Sequence, residues 1–389
     1  MGVTAPAGFR AGGVAAGIKS SGGRDLALVI NDGPQAASAG VFTSNRVCAA
    51  PVRLSRTHMA AGPITAVILN SGGANACTGQ RGQDDAVATA QAVADGLDIP
   101  VEKVAVASTG LIGLPLPMDA LLGGIPPLIA ASGSTAECGA DAADAIRTTD
   151  TVSKTSVCHA DGFTVGGMAK GAGMLAPGLA TMLSVITTDA IIDQEIMQDI
   201  LTEAVRTTFN RIDSDGCMST NDTLILMASG ASGIQPEQAV VTEAVRTVCA
   251  DLARQLIGDA EGATHDIAVN VHQASSEEAA LVIARAVARS NLFKAAVFGN
   301  DPNWGRVLSE VGTIPEEVAP YNPNDIDVAI NGVMVCRNGG VGEDRTLVDM
   351  TPRECQVDIY LKAGETPTVT IWTNDLTHDY VHENSAYSS

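Results

Sequence analysis

Apolar runs that stop at glycine turns recur along this chain. Residues 64–70 (ITAVILN) lead into Ser71-Gly72-Gly73, and residues 103–107 (KVAVA) lead into Ser108-Thr109-Gly110. Each predicts a buried strand that delivers a loop to a site. Residues 182–187 (MLSVIT) predict a third strand. Elsewhere the apolar positions recur at helical spacing. Ile196, Met197, Ile200, Leu201, Ala204 and Val205 predict a helix over 193–208, with Asp193 as N-cap. Pro236 predicts the start of a second helix, to 257. Glu277 and Glu278 suit the first turn of a third, over 276–289. An alanine-rich fourth covers 83–96. Residues 325–330 and 356–361 alternate like half-buried strands. Strands and helices mixed in this way predict an α/β or α+β fold.

Composition narrows the picture. The 389 residues suit two domains, and 46% are hydrophobic but only 3% aromatic. The core is therefore filled by Ala, Val, Ile and Leu. A net charge of −21 argues against nucleic acid and anionic membranes as partners, since both need clustered Lys and Arg. No apolar run reaches the roughly 18 residues of a membrane span, and the amino terminus lacks a signal-peptide core. The cytoplasm is the expected compartment. Eight scattered cysteines with no CxxC pair, and six histidines without ligand spacing, predict no metal. His378 and His382 are spaced i, i+4 but fall in a predicted strand-and-tail region. No bound cofactor is expected.

Residues 170–177 (KGAGMLAP) are unusual for ordinary structure, with two glycines and a proline before an apolar strand. Just beyond them, Ala180-Thr181 places a hydroxyl directly after a small residue. A Thr hydroxyl can attack the preceding carbonyl, and water can then cleave the resulting ester. The new terminal Thr would carry its own base, because an α-amine titrates at about 7.7–8.0 and is partly neutral at pH 7. Residues alone make this a minority reading, since Ala-Thr is a common dipeptide.

A resemblance strengthens it. Residues 166–183 (GGMAKGAGMLAPGLATML) resemble the cleavage-site motif of the ornithine acetyltransferases, the ArgJ family. So do 70–79 (NSGGANACTG), 108–113 (STGLIG), 147–151 (RTTDT), 215–223 (DGCMSTNDT), 259–263 (DAEGA), 299–306 (GNDPNWGR) and 383–389 (ENSAYSS). They follow family order along nearly the whole chain. Gly178-Leu179 and Gly73 depart from the common family residues without touching the Ala-Thr junction.

The resemblance implies self-cleavage between Ala180 and Thr181, into chains of residues 1–180 and 181–389. It implies a layered αββα sandwich with a smaller α/β domain in the carboxy-terminal half, and assembly as two copies of each chain. The implied reaction moves acetyl from N2-acetyl-L-ornithine to L-glutamate through an acetyl-Thr181 ester. Thr109 and Gly110 match the family's oxyanion-hole pair. Lys170 and Glu261 match substrate contacts, and Asn384 and Ser389 match tail residues that close over substrate. Thr148 and Thr149 lie in a segment that the family places in the site, and the sequence does not choose between them. Some family members also accept acetyl-CoA as donor, and no residue decides this here. Two rival readings use the same motifs: an autoproteolytic aminopeptidase or amidase with an N-terminal nucleophile, and a non-catalytic binding protein.

Overall fold

The computed structural model describes residues 2–175 and 182–386. They form two compact units, one of residues 2–210 with 217–259 and one of 211–216 with 260–386.

In the first unit the strands are β1 (Phe9–Val14), β2 (Leu26–Asn31), β3 (Ala37–Phe42), β4 (Ala66–Ser71), β5 (Val104–Thr109), β6 (Lys154–Ala160), β7 (Phe163–Lys170), β8 (Leu183–Thr188) and β9 (Thr223–Ala228). They form one sheet of order β1-β2-β4-β5 and another of order β3-β9-β8-β7-β6. Side chains of a strand alternate between faces. Val67, Leu69, Ala105 and Ala107 therefore enter one apolar cluster with Leu183, Val185, Ile225 and Met227, which packs the two sheets face to face. Ala66, Ile68, Val104 and Val106 point the other way. They meet Val93 and Leu121 of helices Gly79–Leu97 and Met118–Ala131. Strands covered on both faces read as unbroken apolar runs, which is why ITAVILN stood out.

Helices Gln194–Arg206 and Gln238–Gly258 cover the second sheet's outer face. The fit there requires glycine. A Cβ on Gly167 of β7 would lie 2.7 Å from Ile186 and 2.9 Å from Val248. The layers run helix, sheet, sheet, helix, as expected of an αββα sandwich.

The second unit holds β10 (Asp266–His272), β11 (Asp327–Ile330), β12 (Val333–Arg337), β13 (Gly340–Val341), β14 (Glu354–Tyr360) and β15 (Val369–Asn374). Their order is β13-β12-β11-β14-β10-β15, with β10 parallel to β14. Ile283 and Val287 of helix Glu277–Arg289 share its core with Ile267, Val269, Val357 and Ile359. Trp304 packs partly buried against the same core.

Most predicted elements appear with shifted ends. Asp193 takes the N-cap position as predicted, without a side-chain capping bond. One expectation needs correcting. His378 and His382 lie on a helix, His378–Ala386, not in a strand and tail. Thr377 starts that helix by accepting the Tyr380 N–H at 2.9 Å. A hydroxyl three residues before that amide is a capping signal.

Candidate active site

β4 and β5 run parallel with Ser71 opposite Thr109, so both strands deliver their loops at the same end. The Gly73 N–H donates to the Thr109 carbonyl at 3.0 Å, and the Ala74 N–H to the Leu111 carbonyl at 3.0 Å. This interlock needs Gly110, whose φ is +132°. A Cβ there would lie 2.5 Å from the Gly73 nitrogen. Thr109 is buried at the strand's end.

Lys170 ends β7 and is buried. Its Nζ donates to Thr109 Oγ1 at 3.4 Å and lies 4.0 Å from Asp150 Oδ2. Asp150 is a hub. It accepts Lys154 Nζ at 2.7 Å, the Gly171 N–H at 2.6 Å and the Thr148 N–H at 3.0 Å. Burial raises its pKa, but Lys170, Lys154 and the Gly171 N–H outweigh that and hold it at about 2. Lys154, fully buried, also donates to Asp259 Oδ2 at 2.5 Å. An ionised carboxylate thus stands beside the buried Lys170.

Thr109, Lys170 and the Thr148 backbone therefore belong to one bonded cluster in the first unit. Thr148 is exposed and Thr149 half-buried, and neither side chain enters that cluster. Ala180, Thr181 and Ser389 lie outside the described residues. Met182, which follows Thr181, is buried, and its N–H donates to Asp222 Oδ1 at 3.0 Å.

In the second unit, Asn384 Nδ2 donates to Glu261 Oε2 at 2.9 Å. The tail helix is fixed for this bond at its start, where Thr377 Oγ1 donates to the Gly262 carbonyl at 2.7 Å. Gly262, at φ +63°, has no room for a Cβ, which would lie 2.4 Å from the Tyr380 nitrogen. Burial, with the charges of Glu261 and Asp379, raises the Glu383 pKa. Glu261 also lines a cavity of about 50 Å³ with Asp215, Asp375, Lys294 and Tyr380. The acidic groups there already face an amine of the chain, Lys294, whose Nζ donates to the Ser214 carbonyl.

Asp150, Lys154, Asp259, Asn221 and Asp222 were missed as individuals. All but Lys154 sit inside the quoted motifs RTTDT, DAEGA and DGCMSTNDT, so the signal was present without a role attached. Among the described residues, no group of three or more His, Cys, Asp or Glu converges as a metal site would.

A family model described as the ArgJ family matches residues 10–389. An arginine biosynthesis bifunctional protein ArgJ from Streptomyces avermitilis is 61% identical over 389 residues, spanning all of both chains. One from Bifidobacterium longum is 57% identical, again over all of both. A solved ornithine acetyltransferase from Mycobacterium tuberculosis, complexed with ornithine, is 55% identical. It covers 47% of this chain and 96% of that one, with a TM-score of 0.45.

Proposed function

The chain belongs to the ArgJ family, and on that premise we propose that it is an acyltransferase of arginine biosynthesis that moves acetyl from N2-acetyl-L-ornithine to L-glutamate. The full-length identity of 61% to an arginine biosynthesis bifunctional protein carries the activity. The buried contact between Lys170 and Thr109 supports the placing of its chemistry.

The cycle begins with processing. Thr181 Oγ attacks the Ala180 carbonyl carbon, the C–N bond breaks, and the Thr181 nitrogen takes the proton. Water hydrolyses the ester, leaving an Ala180 carboxylate and a free Thr181 hydroxyl. The Thr181 α-amine then serves as base while its hydroxyl attacks the acetamide carbonyl of acetylornithine. Ornithine departs with the proton. Glutamate's amine attacks the acetyl ester and restores Thr181. Each tetrahedral oxyanion is met by the Thr109 hydroxyl and the Gly110 N–H.

Lys170 lowers the amine pKa by its nearby charge and meets a substrate carboxylate. Glu261, Asn384, Ser389 and a hydroxyl of Thr148 or Thr149 complete the substrate contacts. Glu261 takes the cationic side chain of ornithine. Glutamate distinguishes this reading from an aminopeptidase or amidase. With acetylornithine and glutamate, ornithine and N-acetylglutamate should appear in equal amounts. Release of free acetate at the same rate without glutamate would instead identify a hydrolase. Substituting acetyl-CoA for acetylornithine in the same assay reads the second donor.

A further inference from the structure

The segment 219–223 (STNDT) is buried along its length, and it touches both halves of the proposed chemistry. Asn221 Nδ2 donates to the Ser108 carbonyl at 2.9 Å and to the Ala74 carbonyl at 2.6 Å. Ser108 directly precedes Thr109, and Ala74 belongs to the loop interlocked with it. Asp222 Oδ1 accepts the Met182 N–H at 3.0 Å. The Thr223 N–H donates to the Met182 carbonyl at 3.1 Å. Both polar backbone groups of the residue after Thr181 are therefore held by consecutive residues.

The segment is itself anchored. Thr43 Oγ1 donates to the Ser219 carbonyl at 2.6 Å, and the Thr43 N–H to the Asp222 carbonyl at 2.9 Å. The Ala49 N–H donates to the Thr220 carbonyl at 3.0 Å.

We infer that Asn221 and Asp222 are positioning residues that set the spacing between Thr181 and the Thr109–Gly110 oxyanion hole. This rests on the reading of Thr181 as nucleophile. The geometry assigns each residue one task. Asn221 fixes the strand end that carries the oxyanion donors. Asp222 fixes the peptide that leads out of the nucleophile. Acyl transfer is sensitive to this spacing, because a displacement of about 1 Å can slow it roughly 100-fold.

Asp222 acts here through the acceptor oxygen that holds the Met182 N–H. It is fully buried, and its Oδ2 has no partner among the described residues. Burial outweighs the Met182 N–H, the Ser219 hydroxyl and Lys170, and raises its pKa well above its ordinary value. An amide at this position keeps the acceptor atom.

The test compares Asp222→Asn, Asp222→Leu and Asn221→Ala with the wild type in the full chain. Cleavage of freshly synthesised protein, kcat and KM for acetylornithine, and thermal melting are measured for each. Asp222→Asn is expected to cleave within about fivefold of wild type. Asp222→Leu should cleave at least 30-fold more slowly. Asn221→Ala should lower kcat at least 30-fold with KM within twofold. It reads the spacing independently should Asp222→Leu fail to melt cooperatively.

Failure of Asp222→Asn as severe as that of Asp222→Leu would overturn the acceptor role. A wild-type kcat in Asn221→Ala would overturn the spacing role. A raised KM at unchanged kcat in that variant would do so too. A wild-type chain that is neither cut nor active would instead refute the parent reading of Thr181.

Discussion

Lys170 Nζ donates to Thr109 Oγ1, at 3.4 Å, across the ends of β7 and β5. A hydroxyl that accepts from a lysine is left with its own proton to donate, and an oxyanion hole needs that polarity. Thr109→Ala is therefore expected to lower kcat about 100–1000-fold with little change in KM. Thr109→Ser should retain most of the rate. Steady-state kinetics with acetylornithine and glutamate check both, and an unchanged kcat in Thr109→Ala removes Thr109 from the chemistry.

The carboxylate behind that lysine carries a pH dependence. Asp150 is held at about 2 in the folded protein, below its unfolded value of about 3.9. Its contribution to stability is complete above the unfolded value and fades as pH falls from about 4 towards 2. Asp150→Asn leaves Lys154 and Lys170 buried with a weaker partner, and should cost about 3 kcal/mol near pH 7. Denaturant melts between pH 3 and 7 should show the gap from wild type narrowing at the acid end. A gap independent of pH would contradict an ionised Asp150.

The helix layer over the second sheet sets another expectation. A side chain on Gly167 would press into Ile186, Val248 and Leu252. Gly167→Val should destabilise the protein by about 1–3 kcal/mol, as overpacking does. Thermal melting checks this, and a wild-type melting temperature would contradict the tight packing.

How much of this was legible depended on which force shaped each element. Strands such as ITAVILN, buried on both faces, and helices with a clean apolar stripe were readable because their pattern is the packing. β7 (FTVGGMAK) was not. Its Gly166 and Gly167 lower strand propensity, and close helix packing requires glycine at 167. Helix Met118–Ala131 holds Pro126 and Pro127, so tertiary burial of Leu121, Ile125 and Leu128 overrides local preference. Within the site, Thr109, Gly110 and Lys170 were named from motif resemblance. The Asp150–Lys154–Asp259 network was invisible because its members are brought together only by folding, from positions 105 or more residues apart for Asp259.

The tail gives a separable outcome. Asn384 is held by Glu261 at 2.9 Å, at the end of a helix anchored to Gly262. Deleting residues 385–389 should leave cleavage intact, since the junction needs local geometry only. Transfer should fall tenfold or more in kcat/KM, on the order of 1.4 kcal/mol. Glu261→Gln should raise KM for acetylornithine, because it removes the charge proposed to meet the substrate amine. Unchanged kinetics in the truncated chain would exclude Ser389 from the site.

The most direct test is the mass of the processed protein before and after acetyl transfer. Denatured wild type should give two fragments, the second beginning Thr181-Met182-Leu183, and Thr181→Ala a single uncut chain. With acetylornithine alone, the second fragment should gain one acetyl group on Thr181, and added glutamate should remove it. A fully active wild type that stays uncut, or one whose second fragment never carries the acetyl group, would contradict Thr181 as the nucleophile.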